Sequence, residues 1–162
     1  MVNPAYYQWY DFLQGMKPTG EAFLHDDGRI QRGGGGDMTP KLLVIDDDRS
    51  TALIVARIAE TTGFLVKTIT NPFEALEAFL EFEPDVVFLD MIMPEKDGID
   101  VLQEILLAGA PGRIVLSSGF GRGYLSQAKE LAEFYDKNNV VVLDKPFRRE
   151  DLVNALRGPN PT

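Results

Sequence analysis

The chain has 162 residues, 44% of them hydrophobic and 25% charged, with a formal net charge of −9 at pH 7, no cysteine and one histidine. This composition suits one globular α/β domain with some additional length, and it excludes disulfide frameworks, thiolate metal sites and histidine-rich zinc sites. The acidic balance argues against direct nucleic-acid binding, and since the sequence shows neither a signal peptide nor an apolar run of membrane-spanning length, we expect a cytoplasmic protein that makes no membrane contact.

Residues 1–40 lack the regular pattern of the remaining chain. The run Gly33–Gly36 is typical of a flexible linker, and the sequence around Asp26–Gly28 predicts a β-hairpin. Met38 closely precedes the first predicted strand of the patterned region, and the glycine codons just upstream of it would resemble a bacterial ribosome-binding sequence. We therefore expect one of two alternatives for this N-terminal extension. Either its aromatic side chains dock on a partner, or residues 1–37 are not made because translation begins at Met38.

From Lys41 to Arg157, short β-branched apolar runs alternate with amphipathic segments, and residues 158–162 form a tail. This alternation predicts five β–α units and a parallel sheet with right-handed crossovers. The predicted strands cover residues 41–45, 64–69, 85–89, 113–117 and 139–143. The predicted helices cover about 50–62 with Ser50 as cap, a stretch from Pro72 with Asn71 as cap, and about 98–108, 122–136 and 149–157. The second helix carries apolar residues at helical spacing, namely Phe73, Leu76, Phe79 and Leu80.

Polar side chains stand at the ends of four of the apolar runs. Asp46 and Asp47 follow the first strand, Asp90 follows the third, Ser117 ends the fourth, and Lys145 comes just after the fifth. Ligands of open α/β sheets bind outside the carboxyl ends of the strands, so these side chains should converge on one rim. Carboxylates can hold Mg²⁺, and a lysine and a hydroxyl can bind the oxygens of a phosphoryl group. This set of side chains therefore suits attack on phosphorus by one of the carboxylates.

A single aspartate after a strand is usually a turn or cap residue, so the joint occurrence of these groups carries the argument. Four segments of the chain together resemble the receiver domain of two-component response regulators over residues 41–157. They are Leu43–Asp48, Val87–Gly98, Ile114–Gly119 and Leu143–Phe147. The Asp-x-x-Met-Pro-x-x-Asp-Gly pattern of the second is the most specific. The resemblance implies a doubly wound, five-stranded parallel sheet of flavodoxin-like order 2-1-3-4-5, with helices on both faces.

The resemblance also implies roles for individual residues. Asp90 is then the phosphoacceptor, Ser117 the hydroxyl of the conformational switch, and Lys145 the phosphate-binding lysine. The implied Mg²⁺ ligands are Asp46, Asp47, Asp90 and the backbone carbonyl of Ile92. The phosphoryl donor would be a sensor histidine kinase or a histidine phosphotransfer protein. The domain would in turn act on an unknown downstream protein target, and it could form a homodimer. Such a domain is a signalling protein and not an enzyme beyond its own phosphorylation and dephosphorylation.

Several positions depart from the common receiver pattern. Val142 replaces the aromatic residue that many members carry three positions before the lysine, which puts an aromatic rotamer switch in doubt. The segment between Ser117 and Lys145 is longer than usual and resembles the receivers often fused to EAL-type phosphodiesterase domains. Pro146 resembles the proline that follows a cis peptide in this family.

Two further positions bear on the lifetime of a phosphoryl group. In receiver domains, the residues two positions after the phosphoacceptor and two after the switch hydroxyl influence attack by water. Here they are Ile92 and Gly119, and neither side chain can orient a water molecule. We expect a comparatively long-lived phosphoaspartate.

Two other functions fit part of the sequence. The segment Asp46–Ser50 fits the Asp-x-Asp-x-Thr opening of haloacid-dehalogenase-like phosphatases. That class needs an acidic pair at a strand end beyond the lysine, and the only candidates, Glu150 and Asp151, open a helix. It also leaves Asp90 unexplained. A receiver-like scaffold that is never phosphorylated is the other alternative, and the presence of all five central residues speaks against it.

Overall fold

The computed structural model is described here for residues 22–24, 30–32, 36–109, 111–119, 126–128, 130–131, 133 and 140–157. Its elements, in chain order, are β1 (Ala22–Leu24), β2 (Ile30–Arg32), β3 (Gly36–Met38), β4 (Lys41–Ile45), α1 (Arg49–Thr61), β5 (Leu65–Ile69), a 3-10 turn (Pro72–Glu74), α2 (Ala75–Phe82), β6 (Val86–Asp90), α3 (Gly98–Ala108), β7 (Arg113–Ser118), β8 (Val140–Asp144) and α4 (Arg149–Arg157). Residues 126–128, 130–131 and 133, inside the predicted helix 122–136, are helical. No helix of the described residues is long and apolar enough to cross a membrane.

The five strands from β4 to β8 form one parallel sheet in the order β5-β4-β6-β7-β8. Numbered from the first strand of this sheet, that order is 2-1-3-4-5, so the predicted topology is confirmed. The central strand β6 is buried along its whole length, as expected for a strand covered on both faces.

Alternate residues of the strands divide the core between the two faces of the sheet. Leu43 of β4 and Val87 of β6 pack with α2 and α3 in one hydrophobic cluster. Leu42 and Val86, their neighbours in sequence, pack with α1 and α4 in the other. The sheet is therefore doubly wound, and its rim at the carboxyl ends of the strands stays open between the two helix layers.

The start of α1 differs from the prediction. Asp48 caps the helix, because its carboxylate accepts hydrogen bonds from the Ser50 amide at 3.1 Å and the Thr51 hydroxyl at 2.6 Å. The prediction of Ser50 as the cap was wrong, because the helix begins at Arg49 and the extended backbone of Asp48 precedes it. Asn71 caps the next helical stretch as predicted, by accepting from the Phe73 amide.

The apolar face of α2 is also displaced from the predicted one. Phe79 is buried with Ala75 and Ala78, whereas Phe73 and Leu80 are largely exposed. The stretch begins as a 3-10 turn, in which successive residues rotate further about the axis than in an α-helix, so Phe73 does not continue the buried face of α2. Leu80 follows the buried Phe79 directly and lies on the solvent side of the helix.

The N-terminal extension contains more regular structure than its composition indicates. β1 and β2 form the predicted antiparallel hairpin, and β3 adds a third antiparallel strand. Gly36, expected in a flexible linker, pairs with Arg32. The last residue of the glycine run therefore belongs to this small sheet, whereas residues 33–35 lie outside the described residues. Residues 1–21, 25–29 and the tail 158–162 lie outside the described residues.

Candidate functional site

The ladder of the sheet continues beyond the strand ends and fixes the backbone of the rim residues. Asp90 pairs in register with Ser117 on the neighbouring strand, and the Met91 amide donates to the Ser117 carbonyl at 2.9 Å. The Lys145 amide donates to the Ser118 carbonyl at 2.9 Å in the same way. This register brings the ends of the strands to one rim, as the sequence predicted.

Three carboxylates form the centre of this rim. Asp46, Asp47 and Asp90 each offer an oxygen, and these oxygens lie within 4.8 Å of one another. Asp46 and Asp90 are buried and Asp47 is exposed, so the cluster opens to solvent on one side. Backbone amides hold the two buried groups: Asp46 accepts from the amide of Asp48 at 2.9 Å, and Asp90 accepts from that of Ile92 at 3.3 Å.

Lys145 brings the positive charge of the rim. Its Nζ lies 3.3 Å from Asp46 Oδ2 and 3.4 Å from Asp90 Oδ1, and the side chain is about three-quarters buried. The Lys145–Pro146 peptide bond is cis, as the sequence comparison with receiver domains implied. One ammonium group faces three carboxylates, so the negative charge is only partly compensated.

Burial and neighbouring charges change the pKa values of the two buried carboxyl groups. Burial, followed by the neighbouring charge of Asp46, raises the pKa of Asp90 to about 7, although Lys145 acts in the opposite direction. Burial also raises the pKa of Asp46, against the amide of Asp48 and the charge of Lys145. A divalent cation would oppose both shifts, because its charge would stabilise the ionised carboxylates.

Ser117 contributes a hydroxyl to the same edge of the sheet. Its Oγ is buried and finds no hydrogen-bond partner among the described residues. An unpaired buried hydroxyl is costly, and such groups in folded proteins usually call for an explanation. A ligand oxygen bound beside Asp90 would supply the missing partner.

Gly98 lies against the site, and the sequence did not indicate why a glycine is needed there. A Cβ at this residue would lie 2.5 Å from the Cα of Met91 and 2.8 Å from the carbonyl oxygen of Asp90. Only glycine lets the start of α3 approach the backbone of Asp90 and Met91 so closely. The Asp-Gly end of the loop motif was the available signal, but a motif gives no contact distance. Gly119, by contrast, has room: a Cβ there would stand 3.7 Å from that of Lys145.

Comparisons with known proteins agree with this geometry. Residues 42–157 match the response regulator receiver domain family. The chain is 31% identical to the chemotaxis protein CheY of Bacillus subtilis over 120 residues, 74% of this chain and 96% of that protein. A solved receiver domain from Bermanella marisrubri is similar with a TM-score of 0.63 and 29% identity, covering 72% of this chain and 94% of its own.

A response regulator from Burkholderia pseudomallei, solved with a phosphorylated aspartic acid and a calcium ion, is 25% identical with a TM-score of 0.59. It covers 72% of this chain and 66% of its own. Fold, family match and relatives thus point to one class of signalling domain. The chain belongs to the response regulator receiver family of two-component systems.

Proposed function

We propose that Asp90 is the residue that accepts the phosphoryl group. The observation that carries this proposal is the position of its carboxylate, which is buried at the end of the central strand, 3.4 Å from the Lys145 ammonium and beside two further carboxylates. In the similar Burkholderia pseudomallei protein an aspartic acid carries the phosphoryl group, which supports an aspartate in this role.

Asp46, Asp47 and Asp90 are the residues that would hold Mg²⁺, with the backbone carbonyl of Ile92 as a further ligand. Their oxygens are of the kind that Mg²⁺ prefers and lie close together. Burial raises the pKa of Asp46 and of Asp90, so the charge of a cation would stabilise the ionised form of both groups. When bound, the cation neutralises charge on the phosphoryl oxygens as they approach the carboxylates.

The transfer itself needs little beyond position and charge. An Asp90 carboxylate oxygen attacks phosphorus, and the new O–P bond forms as the bond from phosphorus to the donor nitrogen breaks. The electron pair of that bond remains on the departing histidine imidazole. Lys145 stabilises the negative phosphoryl oxygens, and the Ser117 hydroxyl donates a hydrogen bond to one of them.

Receiver domains of this kind take their phosphoryl groups from kinases or phosphotransfer proteins. We propose a sensor histidine kinase or a histidine phosphotransfer protein as the donor, and a protein target downstream. The chain then acts as a signalling domain and not as an enzyme on other substrates. A haloacid-dehalogenase-like activity is not favoured, because Glu150 and Asp151 lie in the first turn of α4 and not at a strand end.

Labelling with a small phosphodonor and with beryllofluoride tests the proposal. We expect stoichiometric, Mg²⁺-dependent modification of the wild type and none of Asp90→Asn. Asp144→Asn is the matched control, since this exposed aspartate ends β8 beside Lys145 and outside the carboxylate cluster. Labelling of Asp90→Asn at the wild-type level would refute the assignment.

Lys145 is tested separately. Lys145→Ala should leave Mg²⁺ binding largely intact while the rate of phosphorylation falls by roughly 100-fold, because the lost ammonium stabilises charge mainly during transfer. Lys67→Ala is the control, since Lys67 forms an exposed ion pair with Glu81 on an edge strand. An equal loss in both variants would argue against a special role for Lys145.

A further inference from the structure

A second concave surface lies on the α2–α3 side of the domain and includes residues of the loop between β6 and α3. It is an open groove of about 480 Å³ with Phe73, from the 3-10 turn before α2, on one side and Leu107 of α3 on the other. These two large apolar side chains are 59% and 40% exposed. We call this surface the α2–α3 groove.

The polar part of the α2–α3 groove is mainly acidic. Its ionisable residues are Glu95, Lys96, Asp97, Asp100 and Glu104. The groove thus presents four carboxylates and one ammonium around its apolar side chains. An apolar surface bordered by one sign of charge is complementary to a segment that is apolar on one side and basic on its flanks.

Lys96 shows how the groove binds a cationic group. Its Nζ donates to both carboxylate oxygens of Glu104 at 2.7 Å, and it lies 5.6 Å from the centroid of the Phe73 ring. Its side chain is only 15% exposed. An ammonium group is therefore already held here by a carboxylate and an aromatic face together. Glu95, Asp97 and Asp100 extend the acidic border beyond this internal lysine.

A second copy of the chain fits this surface poorly. The whole chain carries a net charge of −9, and a groove-to-groove contact would bring the same carboxylates together.

We propose that the α2–α3 groove is a docking site for a basic amphipathic helix of a partner protein. Its apolar residues would pack against Phe73 and Leu107, and its arginine or lysine side chains would pair with the exposed carboxylates of Glu95 and Asp100. This binding does not require a phosphoryl group on Asp90.

The probe is a synthetic helical peptide with leucine on one face and arginine on its flanks, titrated by calorimetry into the full chain. Phe73→Ser with Leu107→Ser should weaken binding about tenfold. The matched control is Leu53→Ser with Ile54→Ser, because both residues are similarly exposed on α1. A peptide with serine in place of leucine should not bind.

Charge is tested with Glu95→Gln and Asp100→Asn together, which should weaken binding several-fold and remove part of its salt dependence. Glu60→Gln with Glu130→Gln, at exposed positions elsewhere, makes the same change in net charge and should have little effect. Asp90→Asn should bind the peptide like the wild type. The docking site can therefore be supported or refuted independently of the role proposed for Asp90. Absence of binding, or equal losses in the groove and control variants, would overturn the docking site. So would a Phe73→Ser variant that loses self-association and leaves peptide binding unchanged.

Discussion

The backbone amide of Gly98 donates to the carbonyl oxygen of Met91 at 3.1 Å, and the two residues are so close that no side chain fits at position 98. Met91 follows Asp90 directly and is itself fully buried. The first residue of α3 is thus tied to the backbone of the proposed phosphoacceptor.

Gly98→Ala should therefore disturb both stability and the rim. The added Cβ would stand 2.7 Å from the Met91 carbonyl oxygen, so the loop or the helix must shift. We expect the free energy of unfolding to fall by about 1–3 kcal/mol, with weaker Mg²⁺ binding. Urea denaturation and calorimetric Mg²⁺ titration measure the two effects. Gly112→Ala is the control, since a Cβ there meets its nearest atom at 3.4 Å. Equal behaviour of both variants would contradict the steric argument.

The raised pKa of Asp90 makes the stability of the metal-free protein depend on pH. Its carboxyl group has a pKa near 3.8 in the unfolded chain and about 7 in the folded one, so the folded state binds more protons between these values. The stabilising contribution is complete below the unfolded value and is lost as pH rises through the folded one. In EDTA, the unfolding temperature should be lower at about pH 8 than at about pH 5.

Asp90→Asn should reduce this pH dependence, because the amide does not ionise. The part caused by Asp46, whose pKa is also raised, should remain. Mg²⁺ should raise the unfolding temperature of the wild type more at the higher pH, where it does not compete with protons. Differential scanning calorimetry at both pH values measures these shifts. An unfolding temperature that rises between the two values in EDTA would refute this account.

The lifetime of the phosphorylated protein tests the residues beside the site. Ile92 is exposed, and position 119 has room for a side chain next to Lys145. Ile92→Asn with Gly119→Glu should shorten the lifetime of the phosphoryl group by about tenfold or more, because both new side chains can orient water for attack. Loss of radiolabel from purified phosphoprotein gives the rate. Leu65→Asn, at an exposed apolar position on β5, is a control that should leave the rate unchanged. An unchanged rate in the double variant would remove the argument.

Removal of residues 1–37 tests the domain boundary expected at Lys41. The rim side chains lie in or just after strands of the sheet that begins with β4, whereas β1, β2 and β3 form a separate three-stranded sheet. The shortened chain should therefore be labelled at Asp90 at the wild-type rate. Loss of Mg²⁺-dependent labelling in a shortened chain that still folds, judged by circular dichroism, would show that the extension contributes to the site. N-terminal mass spectrometry of the native protein would show separately whether the extension is made.

The sheet and its rim were predictable because both depend on local signals. Each buried strand is an unbroken apolar run, and the position where the run stops determines which side chain reaches the rim, as for Asp90 and Lys145. The start of α1 and the buried face of α2 were not predictable in the same way. Asp48 and Ser50 are both good caps in sequence, and only the backbone decides between them. Phe73 lies off the predicted apolar face of the helix because it belongs to a 3-10 turn, which the spacing of apolar residues alone does not reveal.

Contacts between distant segments could not be predicted from the sequence, for a different reason. The clash at Gly98, the contact of Lys96 with Phe73 and the unpaired hydroxyl of Ser117 depend on distances of a few ångströms between separate elements. A motif marks such positions only when the same contact recurs in a family. Nothing in the pattern around Lys96 indicated that its side chain would be held by Glu104.

The ion pair between Asp46 and Lys145 joins residues 99 positions apart in the chain. During synthesis, the three aspartates leave the ribosome well before the lysine that compensates them, and β8 joins the edge of a sheet that the earlier strands have begun. An incomplete nascent chain therefore has the acidic residues without the ammonium group. The rim that we propose as the phosphorylation site is then complete only after the last strand of the sheet has been made.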